Sequence, residues 1–361
     1  MKVLFLTNIP SPYRVEFFNR LGLKTELCVL FDRKFDKDRN PNWFKKNIFN
    51  FKFKFNPSIK EIIKKINDHK NDIIVVTNYS EKIELYAILY MKLKKIPYCI
   101  EIDGGIAKKD NFIKKALKTF LLSNASLYLS SSAKSDEYLI HYGAKKDKIC
   151  RYPFSSLLDS DILSQPVTES EKQKIRKKLK INEKNVVISI GRFVPIKGFD
   201  LLINAAPKFC ENTGIYIIGG QPTNEYLELI SKNSIKNVHF IDFLTKNDLK
   251  FYFMCADLFI LPTREDIWGL VISEAMSYGL PVITTDNCVA GLELIDNEKN
   301  GYIIPVNSID DIYDKGNKIL NNQSLKEEMA QNNLRKISSY TIENMVLKHY
   351  EIFADFLKKN K

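Results

Sequence analysis

Short unbroken apolar runs alternate along this chain with longer stretches whose apolar residues recur at helical spacing. Apolar runs bounded by turn residues read as strands buried on both faces. Their alternation with amphipathic helices reads as parallel sheet covered by crossover helices. In the first half the predicted strands are residues 3–6, 27–31, 73–77, 98–102 and 127–130. Helices are predicted over 59–67, 82–94 and 111–122, after a first helix led in by Ser11-Pro12-Tyr13-Arg14 that carries Val15, Phe17, Phe18 and Leu21. Residues 155–167 are rich in Ser and Asp, show no periodicity and read as a linker. Beyond a charged helix at 169–179, a second series places strands at 185–190, 214–218, 238–241, 258–261 and 281–284. No solenoid repeat or low-complexity tract interrupts the pattern. A chain of 361 residues outgrows one typical core, so two doubly wound α/β domains are predicted, residues 1–160 and 161–340.

Composition is that of a globular protein, with 45% hydrophobic and 27% charged residues, and no apolar run approaches the ~20 residues that span a bilayer. Residues 1–9 read as a first strand, too short for a signal peptide. The cysteines Cys28, Cys99, Cys150, Cys210, Cys255 and Cys288 form no CxxC, and His69, His141, His239 and His349 have no ligand spacing. Reduced thiols in a cytosol and no metal site are therefore expected. Asp36-Lys37-Asp38 imitates a metal-binding acid pair, but it sits in an alternating charge run and is expected to be a solvated loop. There is no G-x-G-x-x-G and no Walker A, which argues against an NAD enzyme or an ATPase.

Charge changes the picture more. Of the net +12, residues 1–160 hold 30 Lys+Arg against 17 Asp+Glu, a balance of +13, and residues 161–361 hold 25 against 26, a balance of −1. Such asymmetry bears on partners rather than on fold. Residues 107–122 (AKKDNFIKKALKTFLL) mix Lys108, Lys109, Lys114, Lys115 and Lys118 with Phe112, Ile113, Leu117, Phe120 and Leu121. Two readings stay open: a helix resting on anionic lipid headgroups, or a surface helix with its apolar stripe in the core. A nucleic-acid partner is not expected, because no zinc finger, aromatic RNP signature or purely basic helix accompanies the charge.

The richest chemistry lies in LFILPTREDIWGLVISEAMSYGLPVITTD, residues 258–286. An apolar strand ends in the polar loop Thr263-Arg264-Glu265-Asp266, and Gly269 opens a helix. Ligands of open α/β sheets collect where a strand ends and the next helix starts. The amides of Gly269, Leu270 and Val271, backed by the helix dipole, form a seat for phosphate. Asp266 in the loop and Glu274 one turn into the helix add two acceptors for hydroxyls, so a sugar nucleotide fits the combination. Ser189-Ile190-Gly191-Arg192 with Lys197-Gly198 supplies two cations in a short strand-to-helix loop, a fork and a point charge suited to one diphosphate. Gly219-Gly220-Gln221-Pro222 ends another strand and allows close backbone approach.

These motifs resemble the signature of the retaining glycosyltransferases of family 4, weakly before residue 150 and strongly after 185. The family pattern is an acid, seven residues, Glu-Ala-Met, a small residue, a Gly and Pro-Val. Asp266 stands where the family usually has Glu, in the register set by Trp268-Gly269-Leu270. The resemblance implies the GT-B fold, two Rossmann-like domains facing across a cleft, with residues 341–361 forming a helix that crosses back to the first domain (342–357 is its candidate). It implies catalytic roles for Arg192, Lys197, Asp266 and Asp103, the first two stabilising the departing diphosphate. Asp103, on the loop Glu101-Ile102-Asp103-Gly104-Gly105, stands where the family often has His and would face the transferred sugar or the acceptor. Substrate contacts are implied for Glu274, Gly269, Leu270, Val271, Trp268, Gly191 and Gly220, for Phe243 and Leu244 near the base, and for Pro12, Tyr13 and Arg14 near the acceptor. The expected partners are a UDP-sugar, with a GDP-sugar second, and a glycan or lipid-linked acceptor, without cofactor or metal. The expected setting is bacterial surface polysaccharide synthesis, in the cytoplasm or peripherally on the inner face of the plasma membrane. A nucleotide-sugar 2-epimerase of the same fold is the rival within the fold. A basic nucleic-acid-binding protein is the rival from another class.

Overall fold

The computed structural model describes residues 1–36, 48–68, 71–77 and 79–359, so Lys37 and Asp38 of the acid pair, and His69, lie outside the described residues. The chain divides into two compact units, Met1–Ser156 with Tyr340–Lys361, and Leu157–Ser339.

The first unit holds a seven-stranded sheet of β1 (Lys2–Thr7), β2 (Glu26–Phe31), β3 (Lys52–Phe55), β4 (Ile73–Val76), β5 (Cys99–Ile102), β6 (Leu127–Ser130) and β7 (Ile149–Arg151). Their order is β3-β2-β1-β4-β5-β6-β7, and every pairing is parallel. The winding reverses between β1 and β4, which opens a crevice at their carboxyl ends. The central strands are buried on both faces, as their unbroken apolar runs require. The helix Pro12–Gly22 buries Val15, Phe17, Phe18 and Leu21, and also Arg14. Against it packs the closing helix Ile342–Lys359, with Arg20 paired to Glu343 at 3.1 Å and the Phe17 ring 4.8 Å from that of His349.

The helix Phe112–Leu122 is capped by the Asn111 side chain, which accepts from the Lys114 amide at 2.8 Å. Its apolar stripe does not face the core. Phe112, Ile113, Leu117 and Phe120 are 85%, 79%, 55% and 53% exposed, and only Leu121 and Leu122 are buried.

The second unit holds β8 (Asn185–Ile190), β9 (Thr213–Ile218), β10 (Val238–Ile241), β11 (Leu258–Leu261), β12 (Val282–Thr285) and β13 (Gly301–Ile304) in the order β10-β9-β8-β11-β12-β13, all parallel. Here the winding reverses between β8 and β11, so the loops after Ile190 and Leu261 share one crevice. The buried Arg176 of the helix Glu169–Leu179 donates to the carbonyls of Cys255 (2.9 and 2.7 Å) and Lys184 (2.7 Å) and pairs with Asp257 at 2.7 Å. With each guanidinium nitrogen engaged, the buried cation is compensated. The segment 155–167, expected to be a loose linker, is packed down: Leu157 is buried, and the Leu163 amide donates to Ser277 O at 3.0 Å. Among the described residues no helix is long and apolar enough to cross a membrane.

Candidate active site

In the second unit the crevice between β8 and β11 is built from two loops laced together. Gly198, after β8, has φ +68°, and a Cβ there would stand 2.0 Å from Pro262 O, so only glycine lets the two loops touch. The Arg264 amide donates to Ile196 O at 2.7 Å and the Thr263 hydroxyl to the same oxygen at 2.9 Å. The Arg264 guanidinium grips Asp200 with two bonds of 2.8 and 2.6 Å. This clamp escaped sequence reasoning, because an Arg beside two acids in a polar loop carries no spacing signal.

The lacing brings two of the expected catalytic residues together. Lys197 Nζ lies 2.5 Å from Asp266 Oδ2, with side chains 18% and 16% exposed. Asp266 is fixed by its surroundings: its amide donates to Asn287 O at 3.0 Å, and its Oδ1 accepts from the Trp268 amide at 3.3 Å. Arg192 is exposed in the same loop, and among the described residues it has no carboxylate within 4.0 Å.

The helix Leu270–Ser277 starts from Gly269, at φ +99°, without a side-chain cap. A Cβ at Gly269 would stand 2.9 Å from Cys288 Sγ. The Ile272 amide donates to Gly269 O at 2.9 Å, whereas the amides of Leu270 and Val271 have no acceptor among the described residues. They are therefore open to an anion. Glu274 is half-buried one turn further on. Trp268, for which a substrate contact is expected, is 4% exposed.

At the far side of the crevice, Gly219 (φ +145°) passes so close to β8 that a Cβ would stand 2.1 Å from Gly191 O, and Gly220 follows at φ +147°. Phe243 and Leu244 are half-buried beyond β10. The Phe243 amide already donates to Asp242 Oδ1 at 2.6 Å, and Gln221 Nε2 donates to Asp242 Oδ2 at 2.9 Å. Those bonds hold the Asp242 carboxyl below its ordinary range, the Phe243 amide first. The Phe243 amide is thus engaged by this chain's own Asp242.

In the first unit, Asp103 belongs to a buried charge cluster. Arg14 donates to Glu101 Oε1 at 2.6 Å and also to Asp103 Oδ1. Tyr152 OH donates to Glu101 Oε1 at 3.1 Å and approaches Ile102 O at 3.2 Å and Asp103 Oδ1 at 3.5 Å. His349, from the closing helix, binds Met345 O through Nδ1 at 2.7 Å and points Nε2 at Glu101 Oε2, 3.7 Å away. Burial pushes the Glu101 carboxyl up, but Arg14 and then His349 outweigh it and bring it down to about 2. Burial raises Asp103 to about 6 against the pull of Arg14, with Glu101 repelling it further. The 35% of the Asp103 side chain left to solvent limits that rise. Arg14, expected to touch the acceptor, has a 5% exposed side chain committed to two carboxylates, so it holds Asp103 in place. Pro12 and Tyr13 are half-buried beside it, the Tyr13 ring 5.7 Å from that of Phe154.

Residues 171–336 match the family model of glycosyl transferases group 1. The second unit is a glycosyl transferases group 1 domain. A relative along nearly the whole length of this chain is the N,N'-diacetylbacillosaminyl-diphospho-undecaprenol alpha-1,3-N-acetylgalactosaminyltransferase of Campylobacter jejuni, 22% identical over 98% of this chain and 91% of that protein. An uncharacterized glycosyltransferase of Haemophilus influenzae is 24% identical over 74% of this chain and 84% of that one. Among solved structures, Anabaena HepE in complex with UDP superposes with a TM-score of 0.81 at 17% identity, covering 98% of this chain and 100% of that one. The likeness establishes the GT-B fold, with its two Rossmann-like parallel-sheet domains.

Proposed function

We propose that this group 1 chain is a retaining glycosyltransferase that moves a hexose-type sugar from a UDP-sugar, with a GDP-sugar as the second choice, to a lipid-linked or glycan acceptor. The observation that carries the reading is the Lys197–Asp266 pair beside the open Leu270 and Val271 amides at the switch point of the second sheet. In this reading the amides and Arg192 seat the diphosphate, and Lys197 divides its ammonium between phosphate and Asp266. Charge grows on the diphosphate as the glycosidic bond breaks, so preorganised cations favour the transition state over bound donor. Asp266 accepts from a sugar hydroxyl, Glu274 from the ribose, and Asp103 orients sugar or acceptor. The cations supply the positive charge that the departing diphosphate requires, so no metal is needed. The UDP in the HepE structure and the diphospho-undecaprenol acceptor in the Campylobacter relative's name support this donor and acceptor class.

The acceptor side is read as docking on anionic lipid at the cytoplasmic face. Phe112, Ile113, Leu117 and Phe120 share one arc of a helix and are exposed, beside Lys109 and Lys115 on the basic first half. Each surface cation near an anionic leaflet contributes about 1 kcal/mol, screened over a Debye length of about 8 Å. Lys114 and Lys118 are held by Asp110 at 3.2 and 2.8 Å, so the informative variants are Phe112→Ser with Ile113→Ser, and Lys109→Gln with Lys115→Gln. Both should lose binding to phosphatidylglycerol vesicles.

The activity test pairs UDP-hexoses with a polyprenyl-diphosphate sugar, with and without chelator, and reads the anomeric configuration of the product by NMR. Retained configuration, unaffected by chelator, supports the reading. Release of a free 2-epimerised sugar without acceptor points to the epimerase instead.

A further inference from the structure

A second site lies at the opposite ends of the strands that carry the proposed donor site. A cavity of about 380 Å³ opens in the second unit where chain enters β11 and β12, lined by Lys172, Lys326, Asp257, Phe253, Tyr278 and Pro281. Its size falls within the range of small-ligand pockets, roughly 300–1,000 Å³.

The charged residues of the cavity wall are Lys172 and Lys326 with Asp257, Glu169 and Glu327, and of the three acids only Asp257 is buried. Asp257, 3% exposed, is saturated: Oδ1 accepts from Lys172 at 2.9 Å, and Oδ2 accepts from Arg176 at 2.7 Å and from the Val186 amide at 2.9 Å. Lys326, half-buried on the helix Gln323–Ile337, is a third cation around that single carboxylate. Among the described residues it has no carboxylate within 4.0 Å. Burial lowers the Lys326 ammonium below its ordinary range, although Asp257 pulls it up. The remaining acids of the wall, Glu169 and Glu327, are solvent-exposed, and they accept from Gln173 and Gln323 respectively at 2.7 Å. A partly desolvated ammonium with no carboxylate in direct contact keeps donors to offer, and a bound anion accepts from them. The lining also includes Tyr278 and Phe253, whose rings stack on each other at 5.1 Å and 5°. Such a face suits the apolar side of a sugar ring.

We infer that this cavity binds a small phosphate monoester, its phosphate on Lys326 and Lys172 and its body on Tyr278, at a site separate from the donor crevice. The inference stands independently of the proposed transfer reaction.

The test is thermal unfolding of the full chain with saturating UDP, adding inorganic phosphate or glucose 6-phosphate against potassium chloride of equal ionic strength. A ligand at a hundred times its Kd raises the midpoint of a domain this size by about 5–10 °C. Wild type should show such a rise, and Lys326→Gln should lose it while keeping its response to UDP. Lys326→Arg should restore it. A larger shift with glucose 6-phosphate than with phosphate supports a ring subsite, and equal shifts support a phosphate subsite. No shift beyond chloride in wild type, or an unchanged shift in Lys326→Gln, overturns the inference. A lost UDP response in wild type would count against the donor site alone.

Discussion

Replacing Asp266 with Asn should move nucleotide binding and turnover in opposite directions. The carboxylate holds Lys197 Nζ at 2.5 Å, both side chains being less than one-fifth exposed. A hydrogen bond to a charged group contributes about 1.5–3 kcal/mol. An incoming diphosphate must share the ammonium with Asp266, so neutralising the acid returns part of that interaction to the nucleotide. Returning only about 1.4 kcal/mol tightens UDP binding tenfold. Transfer should slow by about 10- to 100-fold, because the sugar hydroxyl loses its charge-assisted acceptor. Titration calorimetry with UDP and initial rates with a saturating donor read the two effects separately. Asp266→Glu, which installs the more usual acid of the resembling family, should retain most of the activity. Weaker UDP binding in Asp266→Asn, or unchanged turnover, would refute the assignment of Lys197 to phosphate and Asp266 to sugar.

Other perturbations follow from the same geometry. Glu274→Gln keeps the shape but removes the charged acceptor proposed for the ribose, so UDP affinity should fall about tenfold by calorimetry. Arg14→Met leaves Glu101, buried at 0% exposure, without its main counter-charge and should cost about 3–5 kcal/mol in denaturant unfolding. Asp103 has a folded-state value raised from 3.8 to about 6, so its stabilising contribution is present below pH 3.8 and lost as pH rises through 6. Asp103→Asn should therefore raise the thermal midpoint at pH 7.5 more than at pH 4.

How far the sequence carried depends on what each residue does. The strands of both switch points are unbroken apolar runs, so β1, β4, β8 and β11 stand out on pattern alone. The strand β3 alternates Lys and Phe at a sheet edge, β7 is three residues long, and β13 opens with Gly301, where a Cβ would meet Val282 O at 2.1 Å. Neither β3 nor β7 presents an apolar run, and that of β13 is only Tyr302-Ile303-Ile304. In the site, Arg192, Lys197, Asp266 and Gly269 were legible because strand ends and glycines fix where loops go. The commitments of Arg14, Asp242 and Arg264 were not, since each bonds to a group brought close by tertiary structure (Glu101, Gln221 and Asp200). The apolar residues of the helix Phe112–Leu122 were legible, but whether they faced core or solvent was decided only by packing.

The most direct test of the account is steady-state transfer from a UDP-sugar by Arg192→Ala and by Lys197→Ala. Both cations are assigned to charge that develops on the diphosphate as it departs. Each substitution should lower kcat by roughly 10²–10³ while changing the UDP Kd much less. Near-normal turnover in both variants would contradict the claim that this crevice drives sugar transfer.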